Sequence, residues 1–267
     1  MNRAWRASEG ARSVVAVIAG TLLLWEICVH VFALREFIAP APSVVLQGLI
    51  KNPSFYFQHA LWTLWVALAG FGLAVVFGMV FAIGIIHSVW LERTLYTLLV
   101  ALNSLPKVAL APLFVIWFGT GSASKTAVVI SIAIFPIVID AVLGLRSVDP
   151  EVINMARAMR ASRAQILWKI RFPQALPSLF AGMKVSISLA LVGTIVGEFV
   201  AGNQGLGSAI LAAQATFDTP QVFASILLLA VLGALLFYAV DFVERRLIPW
   251  HPSHRSVAEA ATNSAQN

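Results

Sequence analysis

The chain has 267 residues, 60% of them hydrophobic and 11% charged, with a net charge of +6. Soluble domains carry about 25% charged residues, and a mean hydropathy of +0.87 leaves too little polar surface to cover an apolar interior. The composition therefore excludes a water-soluble globular protein and places the chain in a bilayer.

Six apolar runs are long enough to span, since about 20 residues cross the hydrocarbon. They are 13–34, 60–86, 95–118, 126–145, 176–200 and 222–240. The first follows Arg3, Arg6 and Arg12 and is longer than a signal-peptide core. It is read as an uncleaved helix behind a short tail, 1–12. Cys28 lies within it and, as the single cysteine, forms no internal disulfide. Glu26 and His30 sit one helical turn apart and are predicted to pair. Residues 35–59, with Pro40, Pro42 and Pro53, are read as a connection. The second run has no charge and, at about 1.5 Å per residue, exceeds the roughly 30 Å hydrocarbon core, so it tilts or protrudes.

Lys107 interrupts the third run between Pro106 and Pro112. A lysine at the bilayer centre costs about 2.5–3.5 kcal/mol on insertion scales, and a broken helix is tolerated at that depth where it meets protein or water. Lys107 is either a pathway-lining charge that attracts an anion or a structural lysine satisfied by freed carbonyls. Gly119 to Thr126 reads GTGSASKT, near a phosphate-binding loop. Ser124 replaces the required glycine and no strand precedes it, so nucleotide binding is rejected. Asp140, near the end of the fourth run, reads as an interfacial carboxylate.

The connection 146–175 is different in kind. It carries Arg157, Arg160, Arg163, Lys169 and Arg171. Asp149 is a candidate N-cap, with Pro150 at the first helical position and Glu151 in the first turn. Val152, Met155, Ala156 and Met159 form an apolar stripe. Ser162 with Gln165 matches a capping box, and Ile166, Leu167 and Ile170 supply apolar contacts. Pro173 and Pro177 are expected to break the chain before the fifth run. A disordered basic loop would satisfy topology alone. Caps and a stripe predict two short helices with a face for a partner.

In the fifth run Lys184 is expected to snorkel inward. Gly193 and Gly197 permit close packing, within the chain or between copies. Glu198 is read as part of an outer gate, a contact for a binding protein, or half of a buried ion pair. Residues 201–221 suggest turns at Gly202, Gly205 and Gly207 and a short helix after them. The tail 252–267 is polar and expected to be disordered.

Six spans put both termini on one side. Thirteen Lys and Arg fall there against three on the other, with Lys107 and Lys184 inside spans. The positive-inside rule makes the thirteen-charge side cytoplasmic. This placement accounts for a pI of about 10.0 without any nucleic-acid partner. The five histidines show no metal-binding spacing, and no nucleophile–base arrangement is visible. The chain is predicted to have no catalytic residue, metal or cofactor, and not to be an enzyme.

The order Asp-Pro-Glu, MARAMRAS, IRFPQALP across 149–177 resembles the "EAA" loop of bacterial ABC-importer permeases. Asn154-Met155-Ala156 stands where that family has Glu-Ala-Ala. Arg160 stands at its glycine, where a turn needing φ > 0 would strain an arginine. Phe172-Pro173 stands at its closing Leu-Pro. SLPKVALAPLFVIWFGTGSASK (104–125), VGEFVAGNQGLG (196–207) and FVERRLIPWHP (242–252) are similar to segments of the nitrate/sulfonate/taurine-type permeases.

The resemblance implies an all-α membrane protein with six transmembrane helices. It implies the type I importer (MetI-like) permease fold, with a core over 60–248 and a cytoplasmic coupling loop over 146–175. Asp149, Glu151, Asn154, Ala156, Arg157, Arg160, Ser162, Arg163 and Pro173 would form the coupling surface. Pro106, Lys107, Pro112 and Glu198 would line the pathway or gate. The implied partners are two cytoplasmic ATPase subunits, a second permease copy, and a periplasmic or lipid-anchored binding protein. The implied location is a bacterial inner membrane, and the implied cargo is a small anionic or heteroaromatic solute. A secondary transporter or channel working through Lys107, Asp140 and Glu198 is the rival; the absence of internal repeats weighs against it.

Overall fold

The computed structural model describes residues 2–249. They are almost wholly helical, with no strand among the described residues. The helices in chain order are α1 (Asn2–Val31), α2 (Pro42–Lys51), α3 (Pro53–His87), α4 (Val89–Ser104), α5 (Ala111–Phe118), α6 (Ser122–Arg146), α7 (Pro150–Ala158), α8 (Arg163–Ile166), α9 (Phe172–Ala201), α10 (Leu206–Ala215) and α11 (Thr219–Leu247). α1 begins at Asn2, so the segment read as a tail is continuous with the first helix. The expected disorder of 252–267 lies outside the described residues.

Four stretches are long and apolar enough to cross a membrane: Pro53–His87, Ser122–Arg146, Arg163–Ala201 and Thr219–Leu247. Ala16–Val31 and Lys107–Phe118 are shorter apolar helices. The third run is not one helix. α4 stops at Ser104, Pro106 is extended, and a single 3₁₀ turn over Lys107–Leu110 leads into α5. Pro112 lies in the first turn of α5, where a missing N–H removes no helical bond.

The chain forms two compact units, Met1–Thr63 with Gly202–Val231 and Leu64–Ala201 with Leu232–Asn267. In the first, the connection 35–59 contains the helix α2. Glu26 explains its start. Its carboxylate accepts from the Ser43 N–H at 3.1 Å and the Ser43 hydroxyl at 2.7 Å, placing an anion at the positive end of the helix. Glu26 thus answers Ser43 as well as the predicted His30, whose ring is 3.8 Å from the carboxylate and bonds the Glu26 carbonyl at 2.8 Å. Val45, Tyr56 and Ala224 are buried together. His59 Nδ1 lies 2.8 Å from the Gly205 carbonyl, and the Leu206 N–H donates to Thr63 Oγ1 at 2.9 Å. These bonds hold the glycine turn, where Gly205 has φ 112°.

The core of the second unit is the antiparallel pair α6 and α9. Between helices in lipid there is no hydrophobic drive, so association depends on close packing, which small residues permit. Gly144 meets Ala175 and Ser178, Gly182 meets Asp140 and Pro136, Gly193 meets Val129, and Gly197 meets Lys125. Between them the Ser186 hydroxyl donates to the Ala133 carbonyl at 2.7 Å. α3 joins the same helix through Gly70 against Val129 and Gly78 against Ile137. Gly193 and Gly197 are therefore used for packing within the chain.

Candidate functional site

The loop between α6 and α9 is folded throughout. Asp149 caps α7, its carboxylate accepting from the Glu151 N–H at 2.8 Å. The helix ends in a Schellman arrangement. The Ala161 N–H donates to the Ala156 carbonyl at 3.0 Å and the Arg160 N–H to the Arg157 carbonyl at 2.9 Å, satisfying carbonyls that a helix end leaves bare. The residue that makes this turn is Arg160, at φ 59°. Arg160 thus sits in the left-handed conformation whose strain the sequence anticipated. Ser162 follows at once as the cap of α8. Its hydroxyl accepts from the Gln165 N–H at 3.2 Å while its own N–H donates to the Gln165 side chain at 2.8 Å. Two local signals back to back leave no slack between the helices.

α8 runs into one π turn, Leu167–Arg171, and then α9. The expected break at Pro173 and Pro177 does not occur. Pro173 lies in the first turn of α9 and Pro177 inside it. The π turn is the physical reason at Pro173: Phe172 N–H bonds back to the Leu167 carbonyl, and the wider turn relieves the clash that a proline makes with the preceding turn.

The inner face of the loop is Ile153, Ala156 and Ile166, packed with Val148, Ala161 and Ile170. This corrects the predicted stripe. Of its four members only Ala156 turns inward; Val152, Met155 and Met159 are 39%, 61% and 77% exposed. Glu151, Asn154 and Arg160 are exposed beside them. On another side of α7 lies a cleft of about 560 Å³ between the loop and the end of α3. It is lined in part by His87, Arg157, Arg163 and Arg171.

The residues assigned to the pathway do not converge. Lys107 is half-buried at the 3₁₀ turn, its ammonium 4.6 Å from the centre of the Phe135 ring. Glu198 is completely buried and its charge bears on Lys125, itself 3% exposed. Lys125 and Phe135 are ten residues apart on α6, roughly 15 Å. The Glu198 and Lys125 side chains are thus both buried on the facing helices α6 and α9, near the close approach of Gly197 to Lys125. Lys125 belonged to the rejected phosphate-loop pattern, and its burial removes that pattern a second time. Asp140 packs on Gly182.

One charged cluster escaped the sequence reading. The Lys184 ammonium contacts both Asp241 and Glu244 on α11, and Arg245 reaches Asp241 at 2.8 Å. The i, i+3 carboxylates of α11 were a visible signal, but the partner lies 57 positions earlier.

Residues 74–249 match the family described as "binding-protein-dependent transport system inner membrane component". The chain is 39% identical to the riboflavin transport system permease protein of Chloroflexus aurantiacus, over 87% of each chain. It is 34% identical to the formylaminopyrimidine transport permease protein of Halalkalibacterium halodurans, over 86% of this chain and 92% of that one. It is 30% identical to the taurine transport system permease protein of Escherichia coli, over 92% of each. Among solved structures, a chain of the MetNI methionine ABC transporter in an inward-facing conformation superposes with a TM-score of 0.63 at 19% identity. The match covers 74% of this chain and 98% of that one, a likeness of fold.

Proposed function

The chain belongs to the family of binding-protein-dependent transport system inner membrane components, and on that premise we propose that its folded loop is the handle through which a partner ATPase drives transport. The protein is a permease of an ABC importer. In the proposed assembly two copies form the pathway, two ATPase subunits sit on the cytoplasmic side, and a binding protein delivers solute from the other. ATP-driven closure of the ATPases moves the loops, and the spans swing between inward-open and outward-open arrangements. A ligand shifts such an equilibrium only by its differential affinity for the two states. The handle must therefore be stiff enough to transmit the difference.

The observation that carries this reading is the outward face Val152, Met155 and Met159 on a doubly capped loop. Methionine fits irregular partner surfaces well, and an exposed apolar strip on an ordered helix suits docking into a groove. Glu151, Asn154 and Arg160 flank it, while Asp149, Ala156, Ser162 and Pro173 hold its shape. Lys107, between Pro106 and Pro112, is proposed as the pathway charge. Glu198 acts at the gate by clamping α9 to α6 through Lys125.

The cargo proposed is a nitrogen heteroaromatic. The relatives named for riboflavin and formylaminopyrimidine are more similar to this chain than those named for taurine, sulfonates or nitrate. The coupling reading is tested by Met155→Glu in the assembled transporter. Co-purification of the ATPase and ATP-dependent uptake are expected to fall together while membrane insertion is unchanged. Undiminished ATPase binding would refute the docking face.

A further inference from the structure

The cleft beside α7 faces away from the docking strip. Successive helical residues are about 100° apart, which sets Arg157 next to Ile153 on the inward side and nearly opposite Met155. Arg163 and Arg171 line the same cleft, together with Ile86 and His87 at the end of α3. Among the described residues none of these three arginines makes an ion pair. The charges of Arg157 and Arg146 instead repel that of Arg171. The one carboxylate bonded nearby, Glu92, is taken by Arg146 at 2.8 Å. Arg157 and Arg163 are exposed and Arg171 half-buried along the lining of this one cleft, a basic surface that an anion can join. Planar guanidinium groups match phosphate oxygens in paired hydrogen bonds.

The position of the cleft selects the kind of anion. Its other wall is the end of an apolar 35-residue helix. Trp168, on the π turn that also carries Arg171, is 56% exposed, its ring tilted 5.2 Å from that of Phe172. Exposed tryptophans at helix ends lie at the headgroup level of a bilayer. Ile86, Ile153, Ile166 and Leu167 give the cleft an apolar floor suited to a glycerol backbone and the top of an acyl chain. Basic pockets between helix ends bind anionic headgroups.

We infer that the cleft formed by Arg157, Arg163, Arg171 and His87 is a binding site for the phosphodiester headgroup of an anionic phospholipid. The lipid neutralises the cluster and braces the back of the loop whose front face meets the partner. The inference rests on the chain spanning a membrane and not on the ATPase reading, so it is tested on the full-length permease alone.

The experiment is native mass spectrometry of the purified full chain, titrated separately with phosphatidylglycerol, phosphatidylcholine and inorganic phosphate. Wild type is expected to retain phosphatidylglycerol over phosphatidylcholine. The triple replacement Arg157→Gln, Arg163→Gln, Arg171→Gln is expected to lower that retention by about tenfold or more, given the attraction of each basic residue to an anionic surface. A variant with the same loss of charge at exposed positions elsewhere, Arg35→Gln, Lys51→Gln, Arg93→Gln, is expected to retain the lipid as wild type does. Arg163→Gln alone, at an exposed position, gives a smaller loss of the same sign should the triple variant fold poorly. Equal retention of both lipids, an equal loss in the control variant, or saturation of the cleft by inorganic phosphate without lipid would each overturn the proposal.

Discussion

Arg160 holds a left-handed turn at the position where the resemblance to importer permeases places a glycine. A non-glycine residue in the left-handed region costs roughly 1–2 kcal/mol, and glycine there would give back part of that through unfolded-chain entropy. Arg160→Gly is therefore expected to stabilise the loop by up to about 1 kcal/mol, read as slower amide exchange over α7. If exchange is unchanged or faster, Arg160 is bonded to its position rather than strained in it. The departure was legible in the sequence; that the turn survives it was not, because the Ala161 to Ala156 bond closes the turn whatever side chain sits between. Lys184 makes the opposite point. Its two carboxylates are non-local, and no pattern joins residues 57 apart. Removing one partner of a largely buried ion pair costs a few kcal/mol. Lys184→Met is expected to lower the thermal midpoint in detergent, and Glu244→Gln added to it to recover most of the loss. Asp241 keeps Arg245, so Glu244 is the group left orphaned. A double variant no better than the single would mean that Lys184 stabilises by packing alone.

At the scale of elements, what sequence reveals depends on whether the deciding contacts are local. The caps at Asp149 and Ser162 were readable because each bonds within three residues. The face of α7 was not. Its sequence offers two apolar strips, Val152 with Met155 and Met159, and Ile153 with Ala156, and only packing against Ile166 and Ile170 chooses between them. The run of small residues on α9 was likewise visible while its partner was not. The register against α6 makes a graded prediction. A Cβ at Gly182 would lie 2.8 Å from Asp140 and 2.9 Å from the Pro136 carbonyl, whereas one at Gly72 meets nothing within 4 Å. Gly182→Ala is expected to destabilise by about 1–3 kcal/mol through overpacking. Gly72→Ala is expected to be neutral or stabilising by up to about 1 kcal/mol, as alanine is the better helix former. Equal effects at the two positions in thermal melts would contradict the α6–α9 register.

For the molecule as a whole, the distribution of basic residues carries the orientation, and orientation decides whether the loop can meet an ATPase at all. On the six-span reading, thirteen Lys and Arg fall on one side against three on the other, an imbalance that insertion reads directly, because translocating basic flanks is opposed while acidic ones count for little. The break between α4 and α5 leaves the count of crossings open to a direct test, since a third run that entered and returned on the same side would invert every later segment. If it crosses, exposed Lys51 and exposed Ala164 lie on opposite sides. In a Cys28→Ser background, Lys51→Cys is expected to react with a membrane-impermeant maleimide in intact spheroplasts. Ala164→Cys is expected to react only after permeabilisation. Labelling of both in intact spheroplasts would mean that the broken run does not cross; the loop would then face the binding protein's side and no ATPase could hold it. Labelling of neither would place residue 51 inside and reverse the charge argument at its first step.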